Sequence, residues 1–260
     1  MDSREVIMSS PQVATPKEIA SNKEFLEQRK GTEVRIQRKS KQARITHGIT
    51  ISCCIWLCLS GLFVFVPALT QLVGDDVVFV FRMSHRVIGV VFVLVPLISA
   101  IIAPKGVAHI FKNLFAKWDS DDKKWMALFM PYLFMSKHLH MPDQHEVKSG
   151  QRFADGVLWL FCAEMAVTGV LLLLGTTVFD MPGNVYAVIL LLHDIGFFFI
   201  AVFGMAHIFL GAGIFPAYRG TARIMWGDGT ISESDALYHW GHWAREEIAS
   251  GKNVVETKKD

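Results

Sequence analysis

The sequence predicts an all-α membrane protein, a bundle of four transmembrane helices with polar extensions at both ends. Hydrophobic residues occupy 52% of the 260 positions, and the mean hydropathy is +0.34, more apolar than an ordinary soluble domain. Charged residues are almost missing from four stretches, each long enough to cross a hydrocarbon layer of about 30 Å at 1.5 Å per residue. The four predicted helices cover residues 45–68, 83–103, 156–176 and 186–212.

The charge pattern inside the four stretches supports these helices. Formal charges are absent from 45–74 and 87–104, and the other two stretches contain one acidic residue each, Glu164 and Asp194. An ionisable group in the middle of a membrane helix is costly, so Glu164 is either part of a proton path or a hydrogen-bond partner for another helix. Asp194 is expected near the outer edge, where contact with solvent or with a partner subunit explains it.

The distribution of basic residues predicts the orientation in the membrane. Ten of the 26 Lys and Arg residues lie at or before Arg44, eight lie in 105–152 and six follow Tyr218. The loop between the third and fourth predicted helices contains none. Because cytoplasmic loops carry an excess of Lys and Arg, both termini and the middle loop are predicted to be cytoplasmic. The protein is therefore expected in the cell inner (cytoplasmic) membrane.

This orientation divides the chain into three segments. They are a cytoplasmic N-terminal arm at 1–44, a membrane domain at 45–214 with a cytoplasmic loop at 105–155, and a cytoplasmic C-terminal tail at 215–260. No internal repeat and no nucleic-acid-binding motif is evident in the sequence.

Four of the ten histidines fall inside the predicted membrane helices. Helix direction places His47 and His207 near the cytoplasmic surface, and His85 and His193 near the outer surface. The fourteen residues from His193 to His207 span close to four helical turns, or about 21 Å, so both side chains share one helix face. The histidines therefore form two pairs at two depths.

Two histidine pairs at two depths are the ligand pattern of two b-type haems. A neutral imidazole gives one nitrogen to the iron and offers its other N–H to an acceptor. Two axial histidines leave the iron without an open position, which favours electron transfer over oxygen chemistry. A single membrane histidine is equally compatible with a hydrogen bond between helices, but four in depth-matched pairs favour haem. The chain has no CxxCH attachment site, so both haems should be bound non-covalently.

Glycines near these histidines support the haem interpretation. A porphyrin is a broad plate that needs backbone without side chains beside it, although small residues also allow close packing of membrane helices. The candidate residues that clear space for the rings are Gly61, Gly89, Gly196 and Gly204.

At these positions the sequence resembles the gamma subunit family of respiratory formate dehydrogenases. These are four-helix, dihaem cytochromes b, related to subunits of thiosulfate reductase and of some hydrogenases. The resemblance covers about residues 40–245 and all four histidines. The matching stretches are RITH at 44–47, LSGLFVF at 59–65, RMSHRVIG at 82–89, SGQRF at 149–153, VTGVLLL at 167–173 and LLHDIGF…MAHIF within 191–209.

The resemblance implies how such a subunit would work. Electrons from an external catalytic dehydrogenase subunit pass through an iron–sulfur partner to the outer haem, cross to the cytoplasmic haem and reduce menaquinone beside it. The implied quinone site is lined by Ser149, Gly150, Gln151 and His207. The family commonly has an Asn-x-Gly-Gln stretch here, whereas this chain has Lys148 in place of the Asn. Lys148 could bind a quinone carbonyl or extend to the lipid headgroups.

Other functions are compatible with the same residues. The complex could instead be a hydrogenase, a thiosulfate or polysulfide reductase, or a flavoprotein-linked complex, and electrons could enter from a cytoplasmic donor that docks on the basic arm. In another class of function, the histidines of a haem-free transporter would relay protons, but this does not explain the depth-matched pairs. No residue of this chain is expected to oxidise formate.

Overall fold

A computed structural model describes residues 32–135, 139, 141–218 and 220–258. The first 31 residues of the predicted N-terminal arm lie outside these ranges. Within them the chain forms two compact units, a membrane unit and an extramembrane unit. The helices are α1 (Lys41–Phe65), α2 (Pro67–Val73), α3 (Asp75–Ile102), α4 (Pro104–Leu114), α5 (Ser120–Met135), α6 (Ser149–Thr177), α7 (Gly183–Gly211), α8 (Ala222–Trp226), α9 (Glu233–His239) and α10 (Gly241–Ser250).

The membrane unit comprises residues 42–117 and 150–214. Its four long helices, α1, α3, α6 and α7, are long and apolar enough to cross a membrane, with mean hydropathy of 2.1 to 2.3 over their most apolar windows. Large hydrophobic side chains on these helices are widely exposed, as expected for surfaces that face lipid. The predicted all-α membrane bundle is confirmed.

The helices extend beyond the apolar stretches that predicted them. Helix α3 begins at Asp75 and α6 begins at Ser149, several residues before the predicted starts at 83 and 156. Asp75 and Asp76 lie in the first turn of α3, where a carboxylate interacts favourably with the helix dipole. The chain enters this turn through Gly74, whose φ of +84° is readily available only to glycine.

The extramembrane unit contains the described residues 32–41 together with 118–149 and 215–258. Its strands β1 (Thr32–Gln37), β2 (Thr230–Ser232) and β3 (Val254–Lys258) form an antiparallel sheet in the order β2-β1-β3. Arg35 pairs with Ser232 on one side of β1 and with Val255 on the other. Parts of the predicted arm, middle loop and tail therefore belong to one unit.

A small apolar core holds this unit together. It buries residues of β1 and β2 and residues of the segment that runs from α8 to α10: Ile36, Ile224, Ile231, Ala236, Trp240, Trp243 and Ala244.

Candidate functional site

The structure places the four membrane histidines in two close pairs. His47 of α1 faces His207 of α7, with 6.2 Å between ring centroids. His85 of α3 faces His193 of α7, with 6.4 Å between ring centroids. These are the pairs that the sequence analysis groups by depth.

The spacing within each pair suits one metal ion between two imidazoles. A metal–nitrogen bond to histidine is about 2.0 Å long, and a ring nitrogen lies about 1.1 Å from the centroid of its imidazole. Two such rings on opposite sides of one ion would therefore have centroids about 6.3 Å apart. Both observed distances, 6.2 and 6.4 Å, agree with this value, so the side chains present fit a haem iron with two axial histidines.

A hydroxyl group fixes the orientation and the tautomer of His85. Ser60 Oγ lies 2.9 Å from His85 Nδ1 and donates its proton to the Trp56 carbonyl oxygen at 2.7 Å. Since a hydroxyl has only one proton, Ser60 Oγ accepts from the Nδ1–H of His85. The Nε2 lone pair of His85 remains available for a metal.

The same arrangement occurs around His193. Thr168 Oγ1 lies 2.8 Å from His193 Nδ1 and donates to the Glu164 carbonyl oxygen at 2.8 Å. His193 is therefore also protonated at Nδ1, with Nε2 free to bind. Hydrogen bonds to the second ring nitrogen are the usual way in which a protein orients a metal-binding histidine.

A glycine follows each of the two hydroxyl residues and lies against the same histidine. A Cβ added to Gly61 would lie 3.5 Å from His85 Cε1, and one added to Gly169 would lie 3.4 Å from His193 Cε1. Both are van der Waals distances, so each glycine lies directly beside the imidazole ring. Sequence analysis identified Gly61 but missed Gly169, Ser60 and Thr168.

The signal that could have identified them is an internal repeat of 108 residues, which the sequence analysis did not find. One half of the repeat is the helix pair α1/α3 and the other is α6/α7. In each half a small hydroxyl residue lies 25 positions before a histidine, and a glycine lies 24 positions before the same histidine. The repeat also pairs identical residues near the starts of α1 and α6. The equivalent positions are Arg44 and Arg152, Gly48 and Gly156, Ser60 and Thr168, Gly61 and Gly169, and His85 and His193.

The repeat does not relate the two histidines of the other pair. Asp155 stands in α6 at the position equivalent to His47, and Ser99 stands in α3 at the position equivalent to His207. Asp155 Oδ1 lies 3.7 Å from His207 Nδ1, and Gln151 Nε2 donates to Asp155 Oδ2 at 3.3 Å. A carboxylate, rather than a hydroxyl, therefore lies beside the second ring nitrogen of His207. Sequence analysis did not single out Asp155.

The other candidate glycines have different surroundings. Gly204 has no atom within 4 Å of an added Cβ, and Gly89 has only one leucine methyl group at that limit. An added Cβ at Gly196 would instead overlap the Glu164 carboxylate and the Met165 side chain. Gly196 thus makes room for Glu164 rather than leaving open space, which differs from the predicted role.

The candidate quinone residues belong to two different units. Ser149 is fully buried in the extramembrane unit, where its Oγ donates to Asp122 Oδ1 at 2.7 Å and its backbone N–H donates to Gln144 Oε1 at 2.9 Å. Gly150 and Gln151 belong to the membrane unit. The polar groups of Ser149 thus have partners within the protein.

Lys148 does not extend towards lipid headgroups. It is only 4% exposed, and its Nζ lies 2.8 Å from His239 Nδ1 and 4.6 Å from the centre of the Tyr218 ring. Burial, with a smaller contribution from the nearby Arg38 charge, lowers the pKa of Lys148 to about 7. The ammonium group is therefore held inside the extramembrane unit and shares a hydrogen bond with an imidazole.

Comparison with known proteins gives one family. A family model described as prokaryotic cytochrome b561 matches residues 38–228, a range that contains the four long helices and the four paired histidines. No curated protein matches the chain.

Proposed function

Because the chain belongs to the prokaryotic cytochrome b561 family, and is thus a membrane b-type cytochrome that serves electron transfer, we propose that it binds two b haems. In this proposal it is the membrane-anchor subunit of a respiratory formate dehydrogenase-type complex. It carries electrons between a partner iron–sulfur subunit and menaquinone.

The observation that carries this proposal is the spacing of the two histidine pairs. His47 with His207 would hold one haem and His85 with His193 the other, and both centroid distances agree with axial ligation of one iron. A bis-histidyl haem supplies reversible one-electron transfer and leaves no position for oxygen to bind. The fourteen-residue separation along α7 places the two sites about 21 Å apart along the helix axis, so together they bridge much of the apolar layer.

The residues behind the ligands have distinct tasks. The hydroxyls of Ser60 and Thr168 lie against Nδ1 of His85 and His193, so Nε2 of each histidine would be the atom that holds the iron. Gly61 and Gly169 let α1 and α6 approach these rings closely. Asp155 gives His207 a negatively charged neighbour, which increases electron donation from the imidazole.

The proposed direction of transfer follows from the orientation of the chain. With both termini in the cytoplasm of a bacterial inner membrane, the His85/His193 pair lies towards the outside and the His47/His207 pair towards the cytoplasm. Electrons would enter at the outer pair from an iron–sulfur partner. Menaquinone would take them near Gly150, Gln151 and His207. If the quinone takes its protons from the cytoplasm, turnover would generate membrane potential.

A second candidate keeps the same cytochrome in another complex. The family description specifies neither the catalytic partner nor its substrate. A hydrogenase, a thiosulfate or polysulfide reductase, or a flavoprotein-linked complex with a cytoplasmic donor would use the same two haem sites. A haem-free transporter finds no support in a cytochrome family.

Purification from native membranes tests the proposal. We expect a molybdenum-containing, formate-oxidising subunit and an iron–sulfur subunit to co-purify, and formate to reduce both haems. Identification of a hydrogenase or a sulfur-compound reductase instead would select the second candidate. Failure of a menaquinol analogue to reduce either haem in the isolated complex would refute the proposed exchange with quinone.

A further inference from the structure

Glu164 is a half-buried residue of the membrane unit whose carboxylate is shielded from solvent. Both carboxylate oxygens are inaccessible to solvent, and neither accepts a hydrogen bond of good geometry from a described residue. The Thr168 hydroxyl is close to the carboxylate, but it donates to the Glu164 backbone carbonyl. An apolar membrane has no water to compensate for this, so an isolated ionised carboxylate there would be very costly. The proposed electron path through the histidine pairs does not require this group.

The Glu164 side chain lies close to the His85/His193 pair. On α6 its backbone carbonyl accepts from Thr168, and the Thr168 hydroxyl contacts His193. On α7 its carboxylate packs against Gly196, one helical turn beyond His193. Glu164 is therefore about one turn from His193 along both helices.

The internal repeat shows that the carboxylate is not needed to build a histidine site. The equivalent of Glu164 in the other helix pair is Trp56, whose Nε1 donates to Ser84 Oγ at 3.2 Å. The equivalent of Gly196 is Ile88. One half of the repeat thus has two large uncharged side chains where the other half has a carboxylate and the glycine that accommodates it.

Within the part of the chain that the structure describes, no cation forms an ion pair or hydrogen bond with this carboxylate. From α6 the groups near it are the Met165 thioether and the Thr168 hydroxyl, and from α7 they are Gly196 and the His193 ring, which already contacts Thr168. Arg82 and Arg86 of α3 lie on either side of His85 in the sequence, and Asp194 of α7 follows His193. Among the described residues, none of these three groups is hydrogen-bonded to the Glu164 carboxylate. A ferric haem iron at the His85/His193 site would add a positive charge to this region and lose it on reduction. Charges of opposite sign attract strongly in a medium of low dielectric constant.

We propose that Glu164 is a proton-binding site whose ionisation follows the oxidation state of the haem held by His85 and His193. This inference rests on the proposed dihaem function. On reduction, one electron goes to the iron and one proton from the aqueous phase binds a Glu164 carboxylate oxygen. On reoxidation the electron and the proton both leave. The summed charge of the iron and the Glu164 carboxylate is therefore the same in the oxidised and reduced states.

Potentiometric titration of the purified full-length cytochrome at several pH values, followed by the haem absorption bands, tests this proposal. For wild type, the midpoint potential of one haem should fall as pH rises, by up to 59 mV per pH unit, the one-electron equivalent of a tenfold change. Glu164→Gln should abolish this slope and leave that of the other haem unchanged. Asp180→Asn, a carboxylate change in the loop outside the span, is the matched control and should retain the wild-type slope.

An infrared difference spectrum, reduced minus oxidised, gives a second measurement. It should show a protonated-carboxyl band that forms on reduction, is absent in Glu164→Gln and is shifted in Glu164→Asp. Equal pH slopes in wild type and Glu164→Gln, or a wild-type potential independent of pH, would overturn the proposal while leaving the dihaem function intact. Failure to find two haems would instead refute the proposed function on which it rests.

Discussion

Replacement of Asp155 tests whether its charge lowers the midpoint potential of the haem on His47 and His207 without changing that of the haem on His85 and His193. Its Oδ1 lies 3.7 Å from His207 Nδ1, whereas the second ring nitrogens of His85 and His193 face neutral hydroxyls. The change Asp155→Asn removes the negative charge and retains nearly the same shape. We therefore expect the midpoint potential of the haem on His47 and His207 to rise, because the ferric state loses a stabilising charge.

The size of the effect follows from the distance. Two unit charges 4 Å apart interact by about 4 kcal/mol at an effective dielectric constant of 20, and by about 2 kcal/mol at twice that separation, roughly where an iron beyond the ring would lie. A tenfold change in an equilibrium constant corresponds to about 1.4 kcal/mol, or to 59 mV for one electron. The interaction of about 2 kcal/mol therefore corresponds to about 80 mV, which is the upper limit of the expected shift. The side chains of His207 and Asp155 are 34% and 29% exposed, so solvent screening lowers the expected shift from this upper limit towards about 40 mV.

The assay is an optical redox titration of the purified protein at constant pH. Asp155→Asn should raise one midpoint potential and leave the other within error, and Asp155→Glu should restore most of the wild-type value. A variant in which neither potential changes, or in which both rise equally, would contradict the assignment of Asp155 to His207.

Three further predictions address the other contacts. Thr168→Val removes the hydrogen-bond acceptor for His193 Nδ1–H, a loss worth about 1 kcal/mol. The midpoint potential of the haem on His85 and His193 should therefore rise by about 40 mV in the same redox titration. Gly169→Leu places a bulky side chain where a Cβ already touches His193, and the haem-to-protein ratio should fall by one. Lys148, whose pKa is lowered from 10.5 to about 7, holds fewer protons folded than unfolded between these values, so stability should rise from pH 7 to 10.5. Tryptophan fluorescence during thermal unfolding should show this rise in wild type and a flatter profile in Lys148→Met; equal profiles would refute the charge assignment.

The sequence was sufficient to predict the membrane bundle because the apolar stretches are long and nearly free of charge. Pairing of His47 with His207 and of His85 with His193 was also predictable, since helix direction fixes the depth of each residue. The helix starts were less predictable: α3 begins at Asp75, in a polar segment that a hydropathy criterion excludes.

Residues that support the histidines were harder to recognise. Ser60 and Thr168 are ordinary residues of a membrane helix, and only their equivalence across the 108-residue repeat distinguishes them. Asp155 was overlooked because its partner His207 is 52 positions away on another helix. Such contacts depend on how the helices pack, which hydrophobic periodicity does not specify.

The extramembrane unit was not predictable from local pattern. Strand β2 has only three residues, too few for an alternation signal, and β1 finds its partners about 200 positions later in the chain. Lys148 illustrates the consequence. Its burial beside His239 depends on that distant pairing, so the local sequence does not show that this lysine points into the protein rather than towards the lipid headgroups.

The central claim is that two histidine pairs each hold one b haem, and haem content in single-histidine variants tests it most directly. Wild type should contain two b haems per chain by extraction and spectroscopy. His85→Ala and His193→Ala should each lose one haem, the same one, while His47→Ala and His207→Ala should each lose the other. One haem in wild type, or loss of different haems from the two members of a pair, would contradict the account.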